Sequence, residues 1–306
     1  MPVGKMDTLV LNDGVVEVGI SPSLGASVAY YNLLATKESP PFSFFRPISK
    51  DKKLEAFDLG STIMIPWAGR ISGGGFSFNG VWYPIKPNLS WQELPIHGDG
   101  FAHAWVVEEA TPTFALLTLE SAALAPYHYK ATAEYTLTEK GFLLKTVVTH
   151  LGEVALPYGV GYHPWFTRTK ATTLKAKSTS VILEDSRYLP TTTENIAGYP
   201  HWNFNQERIL PEKWINNLFN GWDGTASICW KDKALGMEID CSMSKHQFTR
   251  YVVYSPGDEQ NFFCFEPMSH MIDAHHSKEG AVANGYIVLE KAQTLETAML
   301  LTPKYL

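Results

Sequence analysis

The sequence predicts an all-β protein built from large packed antiparallel sheets. Three observations carry that prediction. Apolar residues recur with a period of two along most of the chain. Turn residues break these runs at short intervals, and the runs are rich in Val, Tyr, Phe and Thr, the residues that suit pleated, half-buried surfaces. Amphipathic helical patterns are scarce, and no alternation of strand with helix points to a parallel sheet.

The elements follow in order. Residues 8–20, TLVLNDGVVEVGI, alternate on both sides of Asn12-Asp13-Gly14. Such turns favour Asn, Asp and Gly because they tolerate positive φ, so this reads as a hairpin. Residues 76–85, FSFNGVWYPI, repeat the pattern around Asn79-Gly80. Residues 113–120, 129–137 and 141–150 read as successive antiparallel strands, the last two joined by a short turn at Gly141. The stretch 206–219, QERILPEKWINNLF, predicts one or two short helices interrupted at Pro211. Strands at 225–230, 235–241, 249–254, 262–266 and 285–290 complete the series. There is no internal repeat, low-complexity tract or charged linker, so residues 1–306 read as one continuous domain.

Composition narrows the function classes. Lys+Arg number 25 against 31 Asp+Glu, a formal net charge of −6. The cations are scattered, whereas a nucleic-acid binder shows a basic stripe. DNA, RNA and anionic membranes are therefore not expected partners. Hydrophobic residues make up 45% of the chain, enough for a large core and against disorder. No run approaches the ~18 apolar residues of a membrane span. The N-terminal MPVGKMDTLVLNDG lacks the basic and apolar regions of a secretory leader. Cys229, Cys241 and Cys264 are odd in number, without CxxC spacing, and read as buried free thiols. A cytoplasmic protein, monomer or homodimer, is the expectation.

Candidate chemistry concentrates in four irregular segments: 64–75 (MIPWAGRISGGG), 94–105 (LPIHGDGFAHAW), 156–168 (LPYGVGYHPWFTR) and 263–276 (FCFEPMSHMIDAHH). They carry His97, His103, His163, His270, His275 and His276, with Arg70, Arg168, Trp67, Trp165 and Glu266. His270, His275 and His276 lack HExxH or another tight ligand spacing, so a flexible solvated loop is expected there and no metal. The Gly73–Gly75 run is not a phosphate loop, because no GxxxxGK[ST] surrounds it. What remains is a carboxylate, histidines, an arginine and aromatic rings on loops. Aromatic faces pack on the C–H faces of sugars, while Arg, Asn and carboxylates bond hydroxyls. The set suits proton transfer on a neutral polyhydroxylated ligand.

These segments resemble the galactose mutarotase-like, or aldose 1-epimerase, family. The resemblance rests on PWAGRI (66–71), IHGDGFAHAW (96–105), PYGVGYHPWF (157–166), LEDSRYLP (183–190), LFNGWDG (218–224) and FCFEPMSH (263–270), in family order. It implies a large antiparallel β-supersandwich and an isomerase acting on a sugar without metal or cofactor. It further implies Glu266 as general base and His163 as general acid, and a carboxylate and an imidazolium on opposite sides of the sugar ring can make the two proton transfers concertedly. Arg70 and His97 match positions that bind the sugar, and Trp67, Trp165 and Asn216 complete the expected binding set. Two positions depart from the family pattern: Gly69 stands where Asn is frequent, and Asn216 where many members carry Asp. The alternatives are a hexose 6-phosphate as substrate, or a non-catalytic carbohydrate-binding protein on the same fold. A glycoside hydrolase would need a second carboxylate, for which Asp99, Asp223 and Asp273 are the candidates.

Overall fold

Two large antiparallel sheets face each other. The computed structural model describes residues 7–36, 40–48 and 54–306. In the first sheet the strands run in the order Leu9–Asn12, Val16–Ser21, Ser27–Leu33, Ser61–Met64, Gly161–Thr167, Phe262–Met268, Arg250–Ser255, Ile215–Asn220, Ser180–Glu184 and Pro190–Asn195. The second runs Arg208–Ile209, Thr172–Ala176, Thr225–Trp230, Leu235–Asp240, Thr294–Tyr305, Gly141–His150, Tyr129–Thr138, Phe114–Ser121 and Val106–Ala110. These are the large packed antiparallel sheets that the periodicity predicts, in the supersandwich that the resemblance implies.

Alternation along each strand separates a core face from a functional face. In Gly161–Thr167, Tyr162 and Phe166 are fully buried toward the second sheet. The Tyr162 hydroxyl donates to Thr146 Oγ1 at 3.2 Å and bonds Thr297 Oγ1 at 2.9 Å, tying the two layers together. Tyr31 does the same by packing, with ring centroids 5.1 Å from Phe44 and 5.4 Å from Phe142. Each such side chain removed from water contributes about 1.5–3 kcal/mol. His163 and Trp165, at the intervening positions, stand on the opposite face of the sheet. The same parity puts Glu266 and Met268 there, together with Val252, Leu218 and Ile182 from the neighbouring strands. Met64, Ala68, Ile182, Leu218, Val252 and Met268 form a small apolar cluster separate from the main core.

The predicted hairpins form. Leu9–Asn12 pairs with Val16–Ser21, and Gly75–Phe78 with Val81–Pro84. Asn79 and Gly80 take φ of 50° and 76°, the left-handed pair that a tight hairpin turn requires. The three strands expected between 113 and 150 appear as Phe114–Ser121, Tyr129–Thr138 and Gly141–His150. The segment 206–219 is not helical. It forms the short strand Arg208–Ile209 and the start of Ile215–Asn220. Pro211 stops any helix, and residues 215–220 pair on both sides, with Arg250–Ser255 and with Ser180–Glu184. Those backbone bonds come from residues remote in sequence and override the local pattern.

Candidate active site

Strand register builds the centre of the site. Gly161 pairs with Met268 and Trp165 with Cys264, which sets His163 opposite Glu266 on adjacent strands. Their side chains meet on the functional face, with His163 Nε2 3.4 Å from Glu266 Oε1. Both are buried, at 7% and 5% exposure. They lie in the floor of a cavity of about 280 Å³. That is the small end of the roughly 300–1,000 Å³ range of ligand pockets and suits a single monosaccharide-sized ligand. The placement corrects one expectation. His163 and Glu266 stand side by side on one wall, because they occupy directly opposed positions of neighbouring strands.

Burial dominates the electrostatics. It pushes the Glu266 carboxyl up to about 8, with the Arg70 charge pulling the other way. It pushes the His163 imidazole down to about 3, with Arg46 adding repulsion. The pair therefore favours the neutral forms of both groups. Arg46 acts across Trp165: its guanidinium lies 3.6 Å from the Trp165 ring centroid, and Trp165 stacks on His163 at 4.9 Å and 14°. Cys264 completes the neighbourhood, its sulfur lying with the His163 and Glu266 ligand atoms within 4.8 Å of one another.

His97 reaches the cavity through a strained backbone. Its φ is 60°, a conformation that costs a non-glycine residue energy and persists only where surroundings enforce it. The enforcement is reciprocal. His97 N–H donates to Gly69 O at 2.9 Å, and Gly69 N–H donates to His97 Nδ1 at 3.0 Å. Burial lowers the His97 pKa well below its ordinary value, so the ring is neutral. Because Nδ1 accepts from Gly69, the proton sits on Nε2 and the ring offers a donor. Gly69 itself has φ +74°, and a Cβ there would meet Ile272 Cγ1 at 2.6 Å. Ile272 fills the space that a larger residue at position 69 would need.

Opposite these lie Arg70, Asn216 and Glu184. Arg70 is half-buried, its guanidinium 4.8 Å from the Tyr188 ring centroid and 3.4 Å from Gln92 Oε1. Asn216 Nδ2 donates to Glu184 Oε2 at 2.9 Å. Burial raises the Glu184 carboxyl to about 7, partly offset by that bond and by Arg70.

Of the residues singled out from sequence, His163, Glu266, Arg70, His97, Trp165 and Asn216 line one cavity. Trp67 does not. It is fully buried in the main core, 5.7 Å from the Tyr127 ring. Trp91 and Trp214 flank the cavity instead. The expected solvated histidine loop is also corrected. His270 is fully buried, accepting from Ala68 N–H at 2.9 Å and donating to Met271 O at 2.9 Å, and His275 stacks on Phe76 at 4.1 Å. Arg168 is structural, bonding Ser255 and the Pro211 carbonyl. Asp99, Asp223 and Asp273 are engaged by Tyr129, Lys177 and Ser72 respectively, away from the cavity lining. Glu184 and Tyr188 fall inside the LEDSRYLP segment without being singled out as site residues, and Arg46 lies outside every quoted segment; contacts across strands and loops reveal all three.

The two-sheet antiparallel supersandwich is the galactose mutarotase-like fold. The aldose 1-epimerase family model matches residues 23–299, and the chain belongs to that family. Its relatives include YphB of Escherichia coli K12, a protein of uncharacterised function, 31% identical over 74% of this chain and 78% of the relative. The fold superposes on an E. coli K12 crystal structure proposed as an aldose 1-epimerase, with TM-score 0.87, 26% identity, and 99% and 100% of the two chains covered. It also matches a galactose mutarotase-like protein of Clostridium acetobutylicum in fold, with TM-score 0.82, 19% identity, and 99% and 96% covered. No helix among the described residues is long and apolar enough to cross a membrane.

Proposed function

We propose that the chain is an isomerase that interconverts the α and β anomers of a free aldohexose. The observation that carries this reading is the buried His163–Glu266 contact in the cavity floor. Ring opening needs one proton removed from the C1 hydroxyl and one delivered to the ring oxygen O5. Both oxygens are bonded to C1, so an acid and a base 3.4 Å apart reach them together. Glu266 takes the O1 proton while His163 gives its proton to O5, and the C1–O5 bond breaks to leave an aldehyde. Rotation about C1–C2 presents the other face of the carbonyl, and the reverse transfers close the ring. Atoms and electrons balance within the sugar and two side chains, so no redox partner enters.

The reactive form is the ionised tautomer of the pair, reached from the neutral one by moving the carboxyl proton from Glu266 to His163 across their 3.4 Å contact. Opening converts an ionised Glu266–His163 pair into a neutral one, and burial favours the neutral form of each group. Arg70, His97 and Asn216 bond the hydroxyls, while Trp165, sandwiched between Arg46 and His163, holds the His163 ring in place. Arg70 supplies a fixed charged fork, and His97 a donor held by Gly69.

The test is polarimetry of freshly dissolved α-glucose and α-galactose. The protein should speed equilibration above the buffer rate. Unchanged rates across a broad aldose panel would overturn the reading, and binding without acceleration would favour a non-catalytic sugar protein.

A further inference from the structure

We propose that Glu184 and Asn216 form a hydroxyl-reading pair, and that the Glu184 carboxylate restricts the cavity to neutral sugars. The inference rests on the reading of the cavity as an aldose site. It concerns two hydrogen-bonded residues on paired strands of the cavity wall.

The geometry is specific. Asn216 lies on Ile215–Asn220 and Glu184 ends Ser180–Glu184, two strands that pair directly. Two strand spacings, roughly 10 Å, separate the backbone of Ile215–Asn220 from that of Phe262–Met268. A pyranose with C1 at His163 and Glu266 thus presents its remote hydroxyls to Asn216 and Glu184. Asn216 spends one amide proton on Glu184 Oε2 at 2.9 Å. That bond fixes the amide orientation, leaving Asn216 Oδ1 and Glu184 Oε1 as acceptors. Hydroxyl groups donate to such acceptors, and the bond to a carboxylate is charge-assisted. The carboxylate that Asn216 lacks is therefore supplied from the next strand.

The same arrangement disfavours anions. Among the described residues, the cavity lining carries one permanent cation, Arg70, and two carboxyl groups, Glu184 and Glu266. Arg70 is already electrostatically coupled to both. A phosphate or carboxylate on the sugar would meet the Glu184 charge without a second Arg or Lys among those lining residues. A phosphate site ordinarily gathers several Arg, Lys or backbone donors.

Replacing Glu184 with Gln tests this. To keep the Asn216 bond, the carbonyl of the introduced amide must face Asn216. Its nitrogen then turns toward the sugar and exchanges an acceptor for a donor. Binding is read from quenching of Trp91, Trp165 and Trp214 fluorescence at pH 8, with glucose, galactose, glucose 6-phosphate and glucuronate as probes. The intact protein should bind the neutral sugars at least tenfold more tightly than the anionic ones. Glu184→Gln should weaken neutral binding roughly tenfold and bring the anionic sugars within a few-fold of them. Glu184→Ala, which introduces no donor, should also narrow the preference. Unchanged affinities in both variants, or tighter binding of the phosphorylated sugar by the intact protein, would overturn the proposal. Mutarotation rates measured alongside separate the two readings. Glu184-dependent binding without catalysis removes the epimerase and keeps this pair, whereas catalysis indifferent to Glu184 does the reverse.

Discussion

His163 and Glu266 face each other across adjacent antiparallel strands, with Nε2 and Oε1 3.4 Å apart on the buried floor of a cavity. At that separation they titrate as a unit. The one-proton pair has two tautomers, a neutral one with the proton on Glu266, favoured by burial, and an ionised one with it on His163, which opens the ring. A concerted pair of transfers leaves the count at one.

The pH–rate profile should show this unit. Burial sets the last proton of the pair to leave at about 8 and a second to add at about 3. The one-proton pair is the competent form, so kcat/KM should hold through neutrality and fall as pH rises above about 8. A rate that climbs through 8 instead would mean that Glu266 acts alone as an ionised base. Glu184 titrates nearer 7, and repeating the profile in Glu184→Gln separates its contribution.

Stability carries the same signature. Between 4.5 and about 8 the folded chain keeps a Glu266 proton that the unfolded chain has released. The stability from this group is therefore full below 4.5 and is lost as pH rises toward 8. His163 acts in the opposite sense, its contribution lost as pH falls from 6.5 toward 3. Thermal melts of Glu266→Gln against the intact protein should show an advantage that grows from pH 5 to 8, at roughly 2–4 °C per kcal/mol. A difference constant with pH would contradict the burial argument.

Ile272 fills the space beside Gly69, where a Cβ would meet its Cγ1 at 2.6 Å. Gly69→Asn should cost roughly 1–3 kcal/mol in chemical denaturation, as overpacking does. Ile272→Ala in the same chain should recover part of that loss. An unperturbed Gly69→Asn protein would show that Ile272 yields freely.

The two tryptophans nearest the motif residues should separate cleanly. Trp165→Ala, on the cavity wall, should raise KM for the sugar with a smaller effect on folding. Trp67→Phe, in the core, should cost about 0.5–3 kcal/mol and leave KM unchanged. Steady-state kinetics and melts on both variants check this.

Much of this was legible in the sequence, for identifiable reasons. The hairpin at Asn79-Gly80 depends on two consecutive residues able to take positive φ, and local chemistry fixes it. His163 and Glu266 could be named because each sits in a motif, but their contact is a matter of register between strands remote in sequence. Residues 215–220 read as helix because their strand partners lie at 180–182 and 250–255, outside any local window. Trp67 and Trp165 look alike as aromatics beside motif residues, and only the direction of each side chain distinguishes core from cavity. Glu184 falls inside the LEDSRYLP segment, yet nothing local marks it as a cavity residue. Its role emerges from a hydrogen bond to Asn216, thirty-two residues away.

The most direct measurement is the equilibration rate of a freshly dissolved aldohexose anomer with the intact protein, Glu266→Gln and His163→Asn, each confirmed folded by its melt. The intact protein should exceed the buffer rate, and each variant should lose about 10²–10⁴-fold of that enhancement. An intact protein no faster than buffer, or either variant as fast as the intact protein, would contradict the assignment of this pair to the chemistry.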